Sequence, residues 1–138
     1  MIDRKAPSDR ELYESMSAPN SGLDPITGFL NRNAGLQAVA RAVAEANSRR
    51  TLLAVLWVDM DRFRQVNDSF GHAGGDIVIV RIAERIRSCV STPGEFLRMG
   101  SDEFVVLIPG LDRNGAEQLA GKLLVEIEMP MPIDDILI

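Results

Sequence analysis

Apolar and polar residues follow one another along this chain in runs of changing period. Between Ala34 and about Asn47, Leu36, Val39, Ala40 and Val43 recur at helical spacing, with Arg49 and Arg50 beyond them; this predicts an amphipathic helix. Thr51–Met60 (TLLAVLWVDM) is short, β-branched and aromatic, and apolar on both faces, which predicts a central strand with Trp57 in the core. A second helical stripe runs through Ile77, Val80, Ala83, Ile86 and Val90, with Asp76 placed to cap it and Ser91–Gly94 (STPG) to end it. EFLRM and EFVVLI flank the turn residues GSD, the pattern of a β-hairpin. Asn114 and Glu117 have capping-box spacing for a third helix carrying Leu119, Leu123, Leu124 and Ile127, and MPMPIDDILI begins a further strand. Ahead of all these, residues 1–22 are polar, with Pro7 and Pro19, and read as a flexible leader; residues 23–138 form the domain, entered through the turn-rich Asp24–Asn33 (DPITGFLNRN). Helix, strand, helix, hairpin, helix, strand is the order of an α+β sandwich, with helices flanking one central, largely antiparallel sheet.

Bulk properties narrow the function. The chain has 138 residues, enough for one domain with a core. Its formal net charge is −5 and no basic run exceeds Arg49-Arg50, which argues against a nucleic-acid partner. The single cysteine, Cys89, excludes an intrachain disulfide and reads as a packed helix residue. No apolar stretch approaches the roughly 18 residues of a membrane-spanning helix, so a cytoplasmic location is expected.

The carboxylates carry the candidate chemistry. Asp59 and Asp61 end the apolar run Leu52–Val58, and at i, i+2 they would share a face if the strand continued. Asp102 and Glu103 sit at the tip of the hairpin. If the hairpin neighbours the strand, these groups converge at one end of the sheet, where like charges repel unless a cation neutralises them. Oxygen ligands without His or Cys suit Mg2+, and hence metal-assisted phosphoryl or nucleotidyl transfer. Spacing alone is also compatible with loop-capping aspartates and a solvated acidic tip, the commoner roles of such residues.

Three stretches, DPITGFLNR, VDMDRFRQVNDSFGHAGGD and RMGSDEFVVLIPG, resemble in order and spacing the signatures of GGDEF domains, the diguanylate cyclase family. The resemblance implies a fold like the palm of nucleotide cyclases and polymerases. It also implies a reaction in which two GTP molecules condense to cyclic di-GMP across a homodimer, with Mg2+ or Mn2+, in bacterial second-messenger signalling. By position, Asp59, Asp102 and Glu103 would hold metal together with the Met60 carbonyl, and Glu103 or Asp102 would serve catalysis. Asn67 and Asp76 would read guanine. Phe63 and Arg64 would cradle phosphates, and Gly100 and Ser101 would approach the nucleotide.

Several positions depart from the family pattern. Ser101 replaces the second signature glycine; a Cβ on left-handed backbone there would cost roughly 1–2 kcal/mol. Arg64 stands where lysine is usual, and Ser91–Gly94 replaces the family's R-x-x-D product-inhibition motif. The C-terminal wording resembles a domain cut before its last β-hairpin, leaving an open sheet edge. It is also similar to GGDEF domains that precede an EAL phosphodiesterase domain. The alternative function is therefore a GTP-binding regulator of an attached EAL or sensor domain.

Overall fold

In the computed structural model, residues 22–133 and 136–137 are described. The 1–22 leader expectation lies outside them except for Gly22. The elements are α1 (Arg32–Arg49), β1 (Leu53–Asp59), α2 (Phe63–Cys89), β2 (Glu95–Arg98), β3 (Glu103–Pro109), α3 (Arg113–Glu128), β4 (Pro132–Ile133) and β5 (Ile136–Leu137). The main sheet is antiparallel, in the order β1-β3-β2, and β4 pairs with β5 apart from it.

β3 is the middle strand, and its apolar run is the reason. Phe104, Val105, Val106, Leu107 and Ile108 are all buried, because each face of the sheet is covered. One face meets α2 and α3 through Ala54, Leu56, Phe104, Val106 and Ile108, packed with Ile79, Ile82, Ile86 and Leu123. The other meets α1 through Leu97, Val105 and Leu107 around Ala38. Each large apolar side chain so buried contributes about 1.5–3 kcal/mol.

Five expectations about local detail need correction. β1 is an edge strand among the described residues, so Val55 and Trp57 are exposed and Trp57 is not core. α1 turns Gly35 and Ala38 inward, not Leu36 and Val43, because it lies close on the sheet. A Cβ at Gly35 would already sit 3.0 Å from Leu97 Cδ2. In α2 the buried stripe is Val78, Ile79, Ile82, Ala83, Ile86 and Cys89, while Ile77 is exposed. Asp76 does not cap it: the non-helical break comes earlier, at Gly71, with φ 73° and ψ 177°. Finally, α3 is capped by Asp112, whose Oδ1 accepts from the Gly115 amide at 2.8 Å; Glu117 instead pairs with Arg113 on the surface.

Candidate active site

β1 and β3 run antiparallel in a register that sets Asp59 opposite Glu103. The hairpin between β2 and β3 adds Asp102, whose carbonyl accepts from the Met60 amide at 3.1 Å. One carboxylate oxygen from each of Asp59, Asp102 and Glu103 lies within 4.8 Å of the others. Asp59 is exposed and the other two are half-buried, so the acidic strand end carries no large burial cost. Asp61 falls beyond β1 and outside the cluster. Among the described residues none of the three carboxylates is paired with Lys or Arg. Three convergent carboxylates without a cationic side-chain partner, their oxygens within 4.8 Å of one another, are a donor set that fits a hard divalent cation.

The signature turn is held carbonyl by carbonyl. Arg32 Nη1 donates to the Met99 carbonyl at 3.2 Å, and Arg98 Nη2 to the Ser101 carbonyl at 2.7 Å. The Met99 amide donates to the Glu103 carbonyl at 2.8 Å. Ser101 is not in the left-handed region: Arg50 and Arg62 are the non-glycine residues with positive φ among those described. The strain expected at Ser101 is therefore absent, because the turn is made without a left-handed residue at that position. Its exposed hydroxyl lies 3.5 Å from Asp102 Oδ1.

Arg62, at φ 62°, turns the chain out of β1 into α2 without a side-chain cap, placing Phe63 and Arg64 in the first turn of the helix. Eight residues along a straight helix would separate Asn67 from Gly75 by about 12 Å. The break at Gly71 instead folds the chain back, so that a Cβ at Gly75 would run into Asn67 Oδ1. Asn67 and Asp76 thus flank one narrow fold, with Gly75 supplying the room. Beside the carboxylates is a cleft of about 530 Å³, lined by Asp59, Met60, Arg62, Gln65, Ser69 and Met129 among others. A larger hollow of about 620 Å³ lies at the other end of the sheet, by Gly94 and Pro109, away from these groups.

The sequence reading did not single out Asp24, which forms a clamp at the entry turn. Asp24 Oδ2 accepts from the Thr27 amide at 2.8 Å and the Thr27 hydroxyl at 2.7 Å, and Arg98 Nη1 reaches both Asp24 oxygens at 3.2 Å. Burial pushes the Asp24 carboxyl up, but the Thr27 hydrogen bonds and the Arg98 guanidinium outweigh it and leave it below its usual range. The D-x-x-T spacing, which permits such a side-chain turn, was the available signal. Burial, with Glu126 adding to it, pushes the Cys89 thiol up, which suits a packed rather than a reactive cysteine.

The profile described as diguanylate cyclase, GGDEF domain, matches residues 21–134. This chain belongs to the GGDEF family. It is 40% identical over 114 residues, 81% of its length, to the diguanylate cyclase TpbB of Pseudomonas aeruginosa (strain PAO1), of which it covers 26%. A sensory box/GGDEF family protein from Caulobacter crescentus superposes with TM-score 0.76 at 36% identity, covering 84% of this chain and 76% of that one. The GGDEF domain of DgcB from Caulobacter crescentus, solved in complex with c-di-GMP, gives TM-score 0.78 at 28% identity, over 83% of this chain and 68% of that one. This GGDEF domain spans between 14% and 26% of the length of the curated relatives it matches. Its α+β architecture, helices flanking an antiparallel sheet, is the nucleotide-cyclase palm fold of its structural neighbours. No helix among the described residues is long and apolar enough to cross a membrane.

Proposed function

We propose that this GGDEF domain condenses two GTP molecules into cyclic di-GMP and two pyrophosphates, with each copy in an antiparallel homodimer holding one GTP. The observation that carries the reading is the convergence of Asp59, Asp102 and Glu103 at one end of the sheet, in a chain related to diguanylate cyclases. Asp59, Asp102, Glu103 and the Met60 carbonyl would hold the metal. Bound there, Mg2+ or Mn2+ supplies charge neutralisation at the triphosphate and Lewis-acid activation of the α-phosphate.

The remaining work falls to the chain. The first-turn amides of α2 at Phe63 and Arg64 offer N–H donors and a positive dipole end to the phosphates, and the Arg64 guanidinium adds charge. Gly100 and Ser101 bring the turn backbone up to the nucleotide. Asp76 accepts from the guanine N1–H and exocyclic amine, and Asn67 supplies the complementary amide contact. The 3′-hydroxyl oxygen of one GTP attacks the α-phosphorus of the other, and the bond to the β-phosphate oxygen breaks. The hydroxyl proton passes to the Glu103 carboxylate or to water, and pyrophosphate leaves. Because GTP is an intracellular nucleotide, the domain acts in the cytoplasm. Backbone strain at Ser101, one of two features that favour a GTP-binding regulator making no product, is absent; the C-terminal resemblance to EAL-linked GGDEF domains is the other.

Incubation with GTP and Mg2+, followed by chromatographic detection of cyclic di-GMP, tests the reading, with Asp102→Ala as control. Product that disappears in the control is expected. Metal-dependent GTP binding with no product would replace the cyclase by a nucleotide-sensing module.

A further inference from the structure

We propose that Arg98, held by Asp24, is a positioning residue for the metal-binding turn, so that the chain's entry segment sets the geometry of Asp102 and Glu103. The inference rests on the metal-binding reading of the carboxylate cluster and adds to it the element that controls the cluster.

Arg98 ends β2 and stands opposite Phe104 in the sheet, so its backbone belongs to the rigid core. Its amide donates to the Leu30 carbonyl at 2.8 Å, and the Leu30 amide donates to the Phe96 carbonyl at 2.9 Å, which sews the entry segment along β2. Its side chain bridges two loops. Nη1 contacts both oxygens of Asp24, and Nη2 donates to the Ser101 carbonyl at 2.7 Å. The Asp24 and Arg98 side chains are only 14% and 12% exposed, so the pair is little screened by water. Arg98 Nε is buried and makes no hydrogen bond among the described residues. Nη1 meets Asp24 while Nη2 reaches the turn, so one guanidinium serves both loops.

The Ser101 carbonyl belongs to the peptide unit that leads directly into Asp102. Fixing that carbonyl fixes the peptide plane from which the Asp102 side chain departs. The Asp102 carbonyl is fixed in turn by the Met60 amide, next to Asp59. A continuous path of hydrogen bonds therefore runs from Thr27 through Asp24, Arg98 and the Ser101–Asp102 peptide to the end of β1. A shift of the entry turn, which immediately follows residues 1–21, would move the carboxylates relative to one another. Lysine could keep the charge at position 98 but has no fork with which to hold Asp24 and the Ser101 carbonyl together.

The test compares wild type, Arg98→Lys, Asp24→Asn and Asp59→Asn in the full chain. Mn2+ affinity is read by electron paramagnetic resonance with a non-hydrolysable GTP analogue present, and kcat and KM for GTP are read separately. Circular dichroism and urea midpoints check the fold. Outer-shell partners of metal ligands are worth about 10–100-fold in affinity or activity, so Arg98→Lys and Asp24→Asn should each weaken Mn2+ binding and kcat by at least tenfold. KM for GTP should change less, since neither residue lies in the proposed guanine or phosphate contacts. Wild-type Mn2+ affinity in both variants, alongside Asp59-dependent binding, would overturn the positioning role and leave the metal site standing. Mn2+ binding that ignores Asp59→Asn would overturn the metal site and this inference with it.

Discussion

Replacing Ser101 with glycine separates what the signature pattern suggests from what the fold does. Were position 101 left-handed, the serine Cβ would cost roughly 1–2 kcal/mol and glycine would recover it. The structure places positive φ at Arg50 and Arg62, not at Ser101. Glycine therefore relieves nothing in the folded state and gives the unfolded chain more conformations, a loss of about 0.4–1 kcal/mol. The lost hydroxyl adds little, since it is exposed and sits 3.5 Å from Asp102 Oδ1, at the limit of a hydrogen bond. For a domain of this size the melting temperature should fall by about 1–5 °C. Urea unfolding followed by circular dichroism at pH 7, with thermal melts as a second readout, measures the change. A gain of about 1 kcal/mol or more would refute the reasoning, because it would show that the native turn is left-handed at 101.

Gly75→Ala drives a Cβ into Asn67 Oδ1, so overpacking should destabilise the domain by about 1–3 kcal/mol and displace the amide from its place beside Asp76. Calorimetry should then show GTP affinity reduced by roughly five- to tenfold, the worth of about one hydrogen bond. The depressed Asp24 carboxyl contributes stability that is fully present above about pH 4 and is lost as pH falls through its lower folded value. Asp24→Asn should accordingly cost most at pH 6, with the gap to wild type narrowing in urea melts below pH 4. Uncharged Ser91-Thr92-Pro93-Gly94 offers no arginine or aspartate to a cyclic dinucleotide, so added cyclic di-GMP should not inhibit turnover through this surface; inhibition abolished by altering these residues would contradict that.

Local physical chemistry made much of the fold legible. Period and composition located α1, β1, the later half of α2, the hairpin and α3, because apolar stripes and turn residues act over a few positions. The acidic residues stood out for the same reason: a carboxylate ending an apolar strand and two more at a hairpin tip are visible without coordinates. What failed were statements about facing. Leu36 and Val43 look like the buried stripe of α1 because they are large, yet close approach to Leu97 selects Gly35 and Ala38. Trp57 looks like core because it is aromatic, yet β1 has a neighbour on one side only among the described residues.

The sequence by itself determined the element types, the acidic set Asp59, Asp102 and Glu103, and membership of a family through three ordered motifs. Each of those depends on residue identity and short spacing. Tertiary structure alone decided that β3, not β1, is the middle strand, that register sets Asp59 against Glu103, and that Gly71 folds Asn67 onto Gly75. It alone decided that Ser101 is unstrained and that Asp24, 74 positions away from Arg98, ties the entry turn to the signature. The physical reason is that propensity and periodicity are sums over neighbours in the chain. Register, backbone conformation in a held turn and long-range ion pairs depend on neighbours in space.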